Sequence, residues 1–399
     1  MVATIAYLLA VILCSSRGVL EFVIGKDAAY LIQVGGIVVL LICFVSPSAL
    51  AAYFRREGTW PLGCILGIVF TVVLSIVVTL AQTGQFGFTY LFVFVFTIFV
   101  YFYSVSNYRK RFIRPNVAYA GVVLIALIEA GIAVAQQRGS FPIDLPGTTY
   151  GFDNLRVPSL TGSYLHYPLF VSIVASLCGA RYLVHKKVMS GLACAVLTAC
   201  IFSALSRSGM LIIMGMFALA FIQEPIRFLT RNAKLIIAGL AACMAILVLG
   251  GAGGDGGNSV TSVGTDRMIG AANLQSDGND GRTEAWDKAV ALALPVNAIA
   301  GSYFGLVTNA ASDSVKNEFG IVESSLLQQV LNVGVLGTIF YFGLLISVTK
   351  LVSRRSKIAL CVLAALFQSL FYQSIEVIPF VFVLMTLPVF DAVDEPRRT

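Results

Sequence analysis

Apolar residues in this chain come in long unbroken runs rather than in alternation. The stretches 61–82 and 88–105 carry no charged side chain at all. A helix needs about 20 apolar residues to cross the hydrocarbon core of a bilayer. On that measure the pattern predicts helices at roughly 3–22, 29–47, 61–82, 88–105, 116–137, 166–184, 188–205, 208–222, 235–250, 326–348, 358–374 and 376–391. The pairs 188–205 with 208–222 and 358–374 with 376–391 have very short connections. The runs are continuous, so a membrane β-barrel, whose strands alternate, does not fit. The expected fold is an all-α polytopic membrane protein of about 12 transmembrane helices. Residues 1–399 form a single membrane domain, with one large loop at 251–325.

Composition removes the soluble alternatives. The 399 residues are 58% hydrophobic and 12% charged, where a soluble domain carries roughly 25% charged residues. Mean hydropathy is +0.88. The formal charge is +7, and in this setting it speaks of orientation rather than of nucleic acid. Lys and Arg accumulate in loops that stay cytoplasmic. Arg55 and Arg56 follow the second segment, and Arg109, Lys110, Arg111 and Arg114 the fourth. Lys186 and Lys187 follow the sixth. Arg227, Arg231 and Lys234 follow the eighth. Lys350, Arg354, Arg355 and Lys357 follow the tenth, and Arg397 and Arg398 close the chain. Every cluster follows an even-numbered segment, which predicts cytoplasmic termini. The first apolar segment reads as a first helix, not a cleavable signal peptide. The 8 cysteines lie in or beside apolar stretches without metal-ligand spacing and read as packing residues. No internal repeat is visible, which weakens a transporter reading.

Three loops face the other side: Arg138–Tyr164, the Ser206–Arg207–Ser208–Gly209 turn, and 251–325. The last opens Gly-rich, then predicts a short amphipathic helix over Thr283–Leu294, with Trp286, Val290 and Leu294 on one face and Pro295 ending it. Arginines on this side run against the positive-inside tendency. Arg156, Arg207 and Arg282 lie one in each loop. A guanidinium binds phosphate through a planar fork of donors, so the three together suit a diphosphate. Each alone reads equally as a solvated or salt-bridged loop arginine. Arg207 has no other charge nearby, and Arg282 sits at a helix N-terminus, a natural anion position. Glu323, where the large loop re-enters the membrane, suits a general base or a cap on the following helix. Glu129, inside the fifth segment, is a functional candidate or a buried hydrogen-bonded acid. Glu376 lies at the last hairpin and reads as a loop acid. His166 starts the sixth segment as a possible sugar or phosphate contact or a structural helix start; His185 adjoins Lys186. There is no glycine-rich nucleotide loop, metal motif or nucleophile elbow.

These motifs, in their order along residues 150–340, resemble the O-antigen polymerase and O-antigen ligase superfamily of bacterial inner membranes. Ser206–Arg207–Ser208–Gly209 resembles its Ser-Arg-small element. Arg156…Gly162…Pro168 resembles its Arg-x-x-Gly…Pro element, with looser spacing. Gly281–Arg282–Thr–Glu–Ala–Trp286, Pro295 and Gly301–Ser–Tyr–Phe–Gly305 resemble its large-loop pattern. Glu323–Ser324–Ser325 through Gly334 and Gly337 resembles its closing helix start. The ligases typically carry His-Asn where this chain has Glu323–Ser324, which favours the polymerase branch.

The resemblance implies a GT-C-like, metal-independent glycosyltransferase with no cofactor, active on the periplasmic side of the inner membrane. Its substrate would be undecaprenyl-diphosphate-linked oligosaccharide. Arg156, Arg207 and Arg282 would hold the diphosphate, Glu323 would be the base, and His166 a sugar contact. Expected partners are membrane lipids and a chain-length regulator, with no nucleic acid. Two rivals stand beside this reading: a ligase handing polymer to lipid A core, and a transporter or flippase of lipid-linked sugars. A membrane scaffold would leave the three arginines unexplained.

Overall fold

The computed structural model describes residues 1–56, 59–143, 156–225, 286–287, 289–291, 299–308, 322, 324–353 and 356–391. Among these residues the regular structure is helical throughout. The first half comprises α1 (Val2–Ser15), α2 (Arg17–Ile24), α3 (Lys26–Ile42), α4 (Pro47–Arg56), α5 (Trp60–Thr83), α6 (Phe88–Lys110) and α7 (Pro115–Gln137). There follow α8 (His166–His185), α9 (Val188–Ser203), α10 (Arg207–Gln223), α11 (Ser325–Ser347), α12 (Ile358–Ser369) and α13 (Ile378–Thr386). Five helices are long and apolar enough to cross a membrane: α5, α6, α7, α8, and α11 with its 3-10 extension to Leu351. Counting each of two bent helix pairs as one span makes seven. The chain is therefore an α-helical membrane protein. Four further apolar helices are shorter: α9, α10, α12, and α13 with its extension to Phe390. The segment expected at 235–250, with Arg227, Arg231 and Lys234, lies outside the described residues.

Two expected spans are broken. The segment 3–22 divides at Ser16, where α1 and α2 meet at 64°. The Ser16 hydroxyl donates back to the Ile12 carbonyl, a bond that competes with the helix ladder. The segment 29–47 ends at Ile42, and the chain turns by 86° into α4. Pro47 opens α4 as its first residue, and the proline keeps Ser46 before it out of the helical region, so the two helices do not merge. Helix α4 then runs against α6, with the Tyr53 and Tyr101 hydroxyls 3.3 Å apart and Arg109 over the Tyr53 ring. The segment expected at 358–374 is also shorter, α12 stopping at Ser369.

The packing inverts the soluble rule. On α5 the outward residues are Leu66, Phe70, Val73 and Val77, while Thr71, Ser75 and Thr79 are buried. Lipid is as apolar as the core, so small and weakly polar residues are what let helices approach each other. Helix α5 lies along α11 through such residues: a Cβ on Gly337 would stand 2.8 Å from Thr71 Oγ1. Helix α8 is the centre of the bundle, buried continuously from Tyr167 to Arg181.

Helix α11 is kinked at Gly334, whose φ of 73° and ψ of 175° are not helical. The kink takes the Leu331 and Asn332 carbonyls out of the ladder, and in an apolar medium they must find other partners. Residues 299–308 supply them. The Ser302 and Tyr303 amides both donate to Leu331 O, at 3.0 and 3.1 Å. Ser75 Oγ donates to Asn332 O. Asn332 Oδ1 in turn accepts from the Gly305 amide at 2.5 Å. The same segment is held to α5 and α6, by Phe304 N–H to Thr79 Oγ1 at 3.0 Å and Gly87 N–H to Phe304 O at 2.9 Å. Gly301, Gly305 and Gly334 all have positive φ. A Cβ on Gly301 would lie 2.7 Å from the Asn332 backbone, and one on Gly305 2.5 Å from Gly87.

A Cβ on Gly334 would collide with the Ile299 carbonyl, whereas one on Gly63 meets nothing within 4 Å. Gly334→Ala should therefore destabilise the purified protein by about 2 kcal/mol or more, while Gly63→Ala should leave it unchanged. Thermal unfolding of both variants in one detergent tests this; equal melting temperatures would show that the kink is not structurally required.

Candidate functional site

The helix ends sort onto two faces. On one, the Arg114 amide donates to Thr4 Oγ1, Ser46 N–H to Ser106 Oγ and Tyr119 OH to Ser190 Oγ. Arg181 donates to Asn116 Oδ1 at 2.9 Å, and Lys357 pairs with Glu224 at 3.1 Å. This face collects Arg55, Arg56, Arg109, Lys110, Arg111, Lys186, Lys187 and Lys350. The opposite face gathers the end of α7, the starts of α8, α10 and α11, and the 299–308 segment. The described candidates Arg156, His166 and Arg207 fall here.

The expected turn at Ser206–Gly209 is shorter than the sequence suggests. The reversal is Ala204–Ser206, with Leu205 in the left-handed region at φ 53°, and Arg207 is already the first residue of α10. Ser206 caps this helix: its Oγ accepts from the Gly209 amide at 3.2 Å. Arg207 is 9% exposed, so its charge is held at a buried helix N-terminus, where backbone N–H groups and the dipole both favour an anion. Gly209 lets α10 pack tightly on α8, since a Cβ there would be 3.2 Å from the Pro168 carbonyl. The starts of α8 and α10 therefore adjoin, and His166 and Arg207 belong to neighbouring first turns.

Arg156 arrives on a different support. The chain from Arg156 to Leu165 dips between α2, α7 and α8 through the buried turn Ser159–Thr161. Glu129 of α7 holds it, its carboxylate accepting from Ser159 Oγ at 2.5 Å and from the Leu160 amide at 3.1 Å. Gln136 adds a bond from the Ser159 amide at 2.8 Å. Ser159 itself has φ 52°, a conformation this network stabilises. The sequence left Glu129 between a functional and a structural role; its bonds make it the anchor of the loop. Beyond the anchor, Arg156 stacks on Tyr164 at 4.0 Å.

Arg17 was not singled out in the sequence, where it sits inside the apolar run 3–22. The break after α1 brings it to this face. It pairs with Glu21 through Nη2 at 2.7 Å and lies over the Tyr30 ring at 5.6 Å. The legible signal was the Arg17–Glu21 spacing of four residues, a helix pair inside a membrane run.

Arg282 and Glu323 lie outside the described residues, as does Leu294. The flanks of Glu323 are well placed. Ser324 caps α11, its Oγ accepting from the Leu327 amide at 3.3 Å, and Ser325 bonds the 372–375 connection. Of the large loop, residues 286–287 and 289–291 are helical. Ala289 is buried and Val290 is 41% exposed. Trp286 packs on Phe371 with ring centroids 6.5 Å apart, so Trp286 and Ala289, three residues apart, form the inward stripe. Glu376 accepts from Gln373 Nε2 at 2.9 Å, in the connection between α12 and α13.

No family model matches the chain, and no curated protein is significantly similar to it.

Glu129→Leu should leave the Leu160 amide buried without its acceptor and cost about 1–3 kcal/mol. Glu129→Gln keeps an oxygen that accepts both bonds and should stay near the wild type. Limited proteolysis of the 138–165 connection measures this. Equal protection in the two variants would remove Glu129 from the anchoring role.

Proposed function

We propose that this protein is a polysaccharide polymerase of the bacterial inner membrane, joining undecaprenyl-diphosphate-linked oligosaccharide repeat units on the periplasmic side. It is a metal-independent glycosyltransferase with a GT-C-like arrangement of about twelve spans. Both termini are cytoplasmic, on the face whose loops are rich in Lys and Arg. The observation that carries the reading is Arg207, a buried guanidinium on the first turn of α10 beside the start of α8.

The chemistry assigns one task to each group. The bond between the sugar anomeric carbon and the diphosphate oxygen breaks, and the anomeric carbon bonds to a hydroxyl oxygen of the next lipid-linked unit. Negative charge develops on the departing diphosphate. Arg207, Arg282 and Arg156 neutralise it, which is where fixed charge lowers the barrier most. Glu323 takes the acceptor proton, and His166 contacts a sugar or phosphate oxygen. A chain-length regulator would act on this site from outside the bundle.

Surface polysaccharide from a deletion strain should show core with a single repeat unit, and the wild-type gene should restore the ladder. Arg207→Ala, stably expressed, should lower polymerisation by about 10²- to 10³-fold. Bare core with accumulated lipid-linked polymer would identify a ligase instead. Lipid-linked units trapped on the cytoplasmic side would identify a flippase. In the same assay Glu323→Gln should reduce the rate by about 10²-fold or more; full-length polymer at the normal rate would remove the base assignment.

A further inference from the structure

Among the described residues, one junction holds several of the buried side-chain polar atoms that lack a hydrogen-bond partner; others, such as the Tyr103 and Tyr167 hydroxyls and Ser176 Oγ, are dispersed through the bundle. Gln328 and Gln368 are both fully buried, and in each neither the amide nitrogen nor the amide oxygen is bonded. Gln329 Oε1 and Ser374 Oγ are in the same state. So is Trp286 Nε1, on the loop helix packed at Phe371.

These residues are neighbours. The Tyr372 amide donates to Gln368 O at 3.1 Å, and Tyr372 O accepts from Ser325 Oγ at 3.0 Å. Ser325 Oγ also accepts from the Ser374 amide at 2.8 Å. Gln328 and Gln329 follow one turn into α11, and the Gln329 amide donates to Tyr90 OH at 2.7 Å. The cluster thus lies where the first turns of α11 approach the end of α12 and Tyr90 of α6.

Unmet buried amides are costly, and an apolar side chain of the same shape would be more stable. Amides in that position must be met from outside the protein chain, by water or by a ligand. We infer that this cluster binds the hydroxyl groups of a sugar. The chemistry of the donor set selects that class. A carboxamide offers both N–H donors and an acceptor oxygen, and the Ser374 hydroxyl does both as well. A sugar hydroxyl also donates and accepts, so successive ring hydroxyls can satisfy both ends of each amide. A phosphate only accepts and would leave the amide oxygens unmet; a lipid tail would meet nothing. The site deepens the proposed function, which it requires only for the identity of the glycan.

The test uses the full chain in lipid nanodiscs with Gln328→Leu and Gln368→Leu. The probes are lipid-linked oligosaccharide extracted from the source strain, the free oligosaccharide released from it by mild acid, and undecaprenyl diphosphate without sugar. Binding and thermal unfolding are both read. Each variant should bind the free and the lipid-linked oligosaccharide about tenfold more weakly, the equivalent of one hydrogen bond. Binding of undecaprenyl diphosphate should not change, and the melting temperature should hold or rise. Wild-type protein that binds no oligosaccharide overturns the inference. So do variants that melt earlier while keeping wild-type sugar affinity, which would make the amides structural, bonded to internal water. If a leucine variant does not fold, Gln328→Asn and Gln368→Asn take its place, with the same tenfold loss expected. Binding of oligosaccharide without any affinity for undecaprenyl diphosphate would sink the diphosphate reading and leave the sugar site standing.

Discussion

A backbone carbonyl freed inside an apolar bundle has no water to turn to, and the architecture around α11 follows from that constraint. The kink at Gly334 releases two carbonyls. The 299–308 segment and Ser75 meet them, and Asn332 accepts the segment's own Gly305 amide in exchange. The kink and the inserted segment therefore stabilise each other. Three glycines make the approach possible, because a Cβ at Gly301, Gly305 or Gly334 would occupy space already filled by backbone. The end of the large loop is thus fixed against α5, α6 and α11, directly above the first turns of the helix that follows Glu323.

A second inserted segment works by the same logic at the other side of the bundle. The turn Ser159–Thr161 is buried between α2, α7 and α8, and its polar atoms are met by Glu129 and Gln136. This explains an acid deep in an apolar helix: it answers the donors of a loop that would otherwise be unpaired. The consequence for the site is positional. The loop delivers Arg156 and Tyr164 to the face where α8 begins with His166 and α10 begins with Arg207. Arg17 reaches the same face because α1 breaks at Ser16. Charge that the sequence scatters over widely separated positions is gathered at one end of the bundle by the up-and-down course of its helices.

The membrane class was legible because it depends on run length and charge content, which are local properties. The alternation of basic clusters was legible for the same reason; among the described residues the helix ends at Arg55–Arg56, Arg109–Lys110, Lys186–Lys187 and Lys350 share one face. Arg207 stood out because a lone arginine between apolar runs is conspicuous at any depth; its burial on the first turn of α10 was not legible. Arg17 was missed because a single charge paired four residues away barely interrupts an apolar window. Which side of the loop helix turns inward was not legible, because helical spacing allows Trp286 to be joined by a residue three or four positions on, and only the packed partner chooses Ala289.

The sequence by itself determined that the chain lives in a membrane, roughly where its helices lie, and which charged residues are out of place there. Those conclusions rest on transfer of side chains from water to lipid, an energy that each segment carries alone. Only the tertiary structure decided that Glu129 is an anchor, that α1 and α3 break, that α11 is kinked to receive a loop, and that three buried glutamines meet at one junction. These depend on which polar group finds which partner across the bundle. Partners separated by 30 residues, as Ser159 is from Glu129, or by 257, as Ser75 is from Asn332, leave no mark in the local pattern.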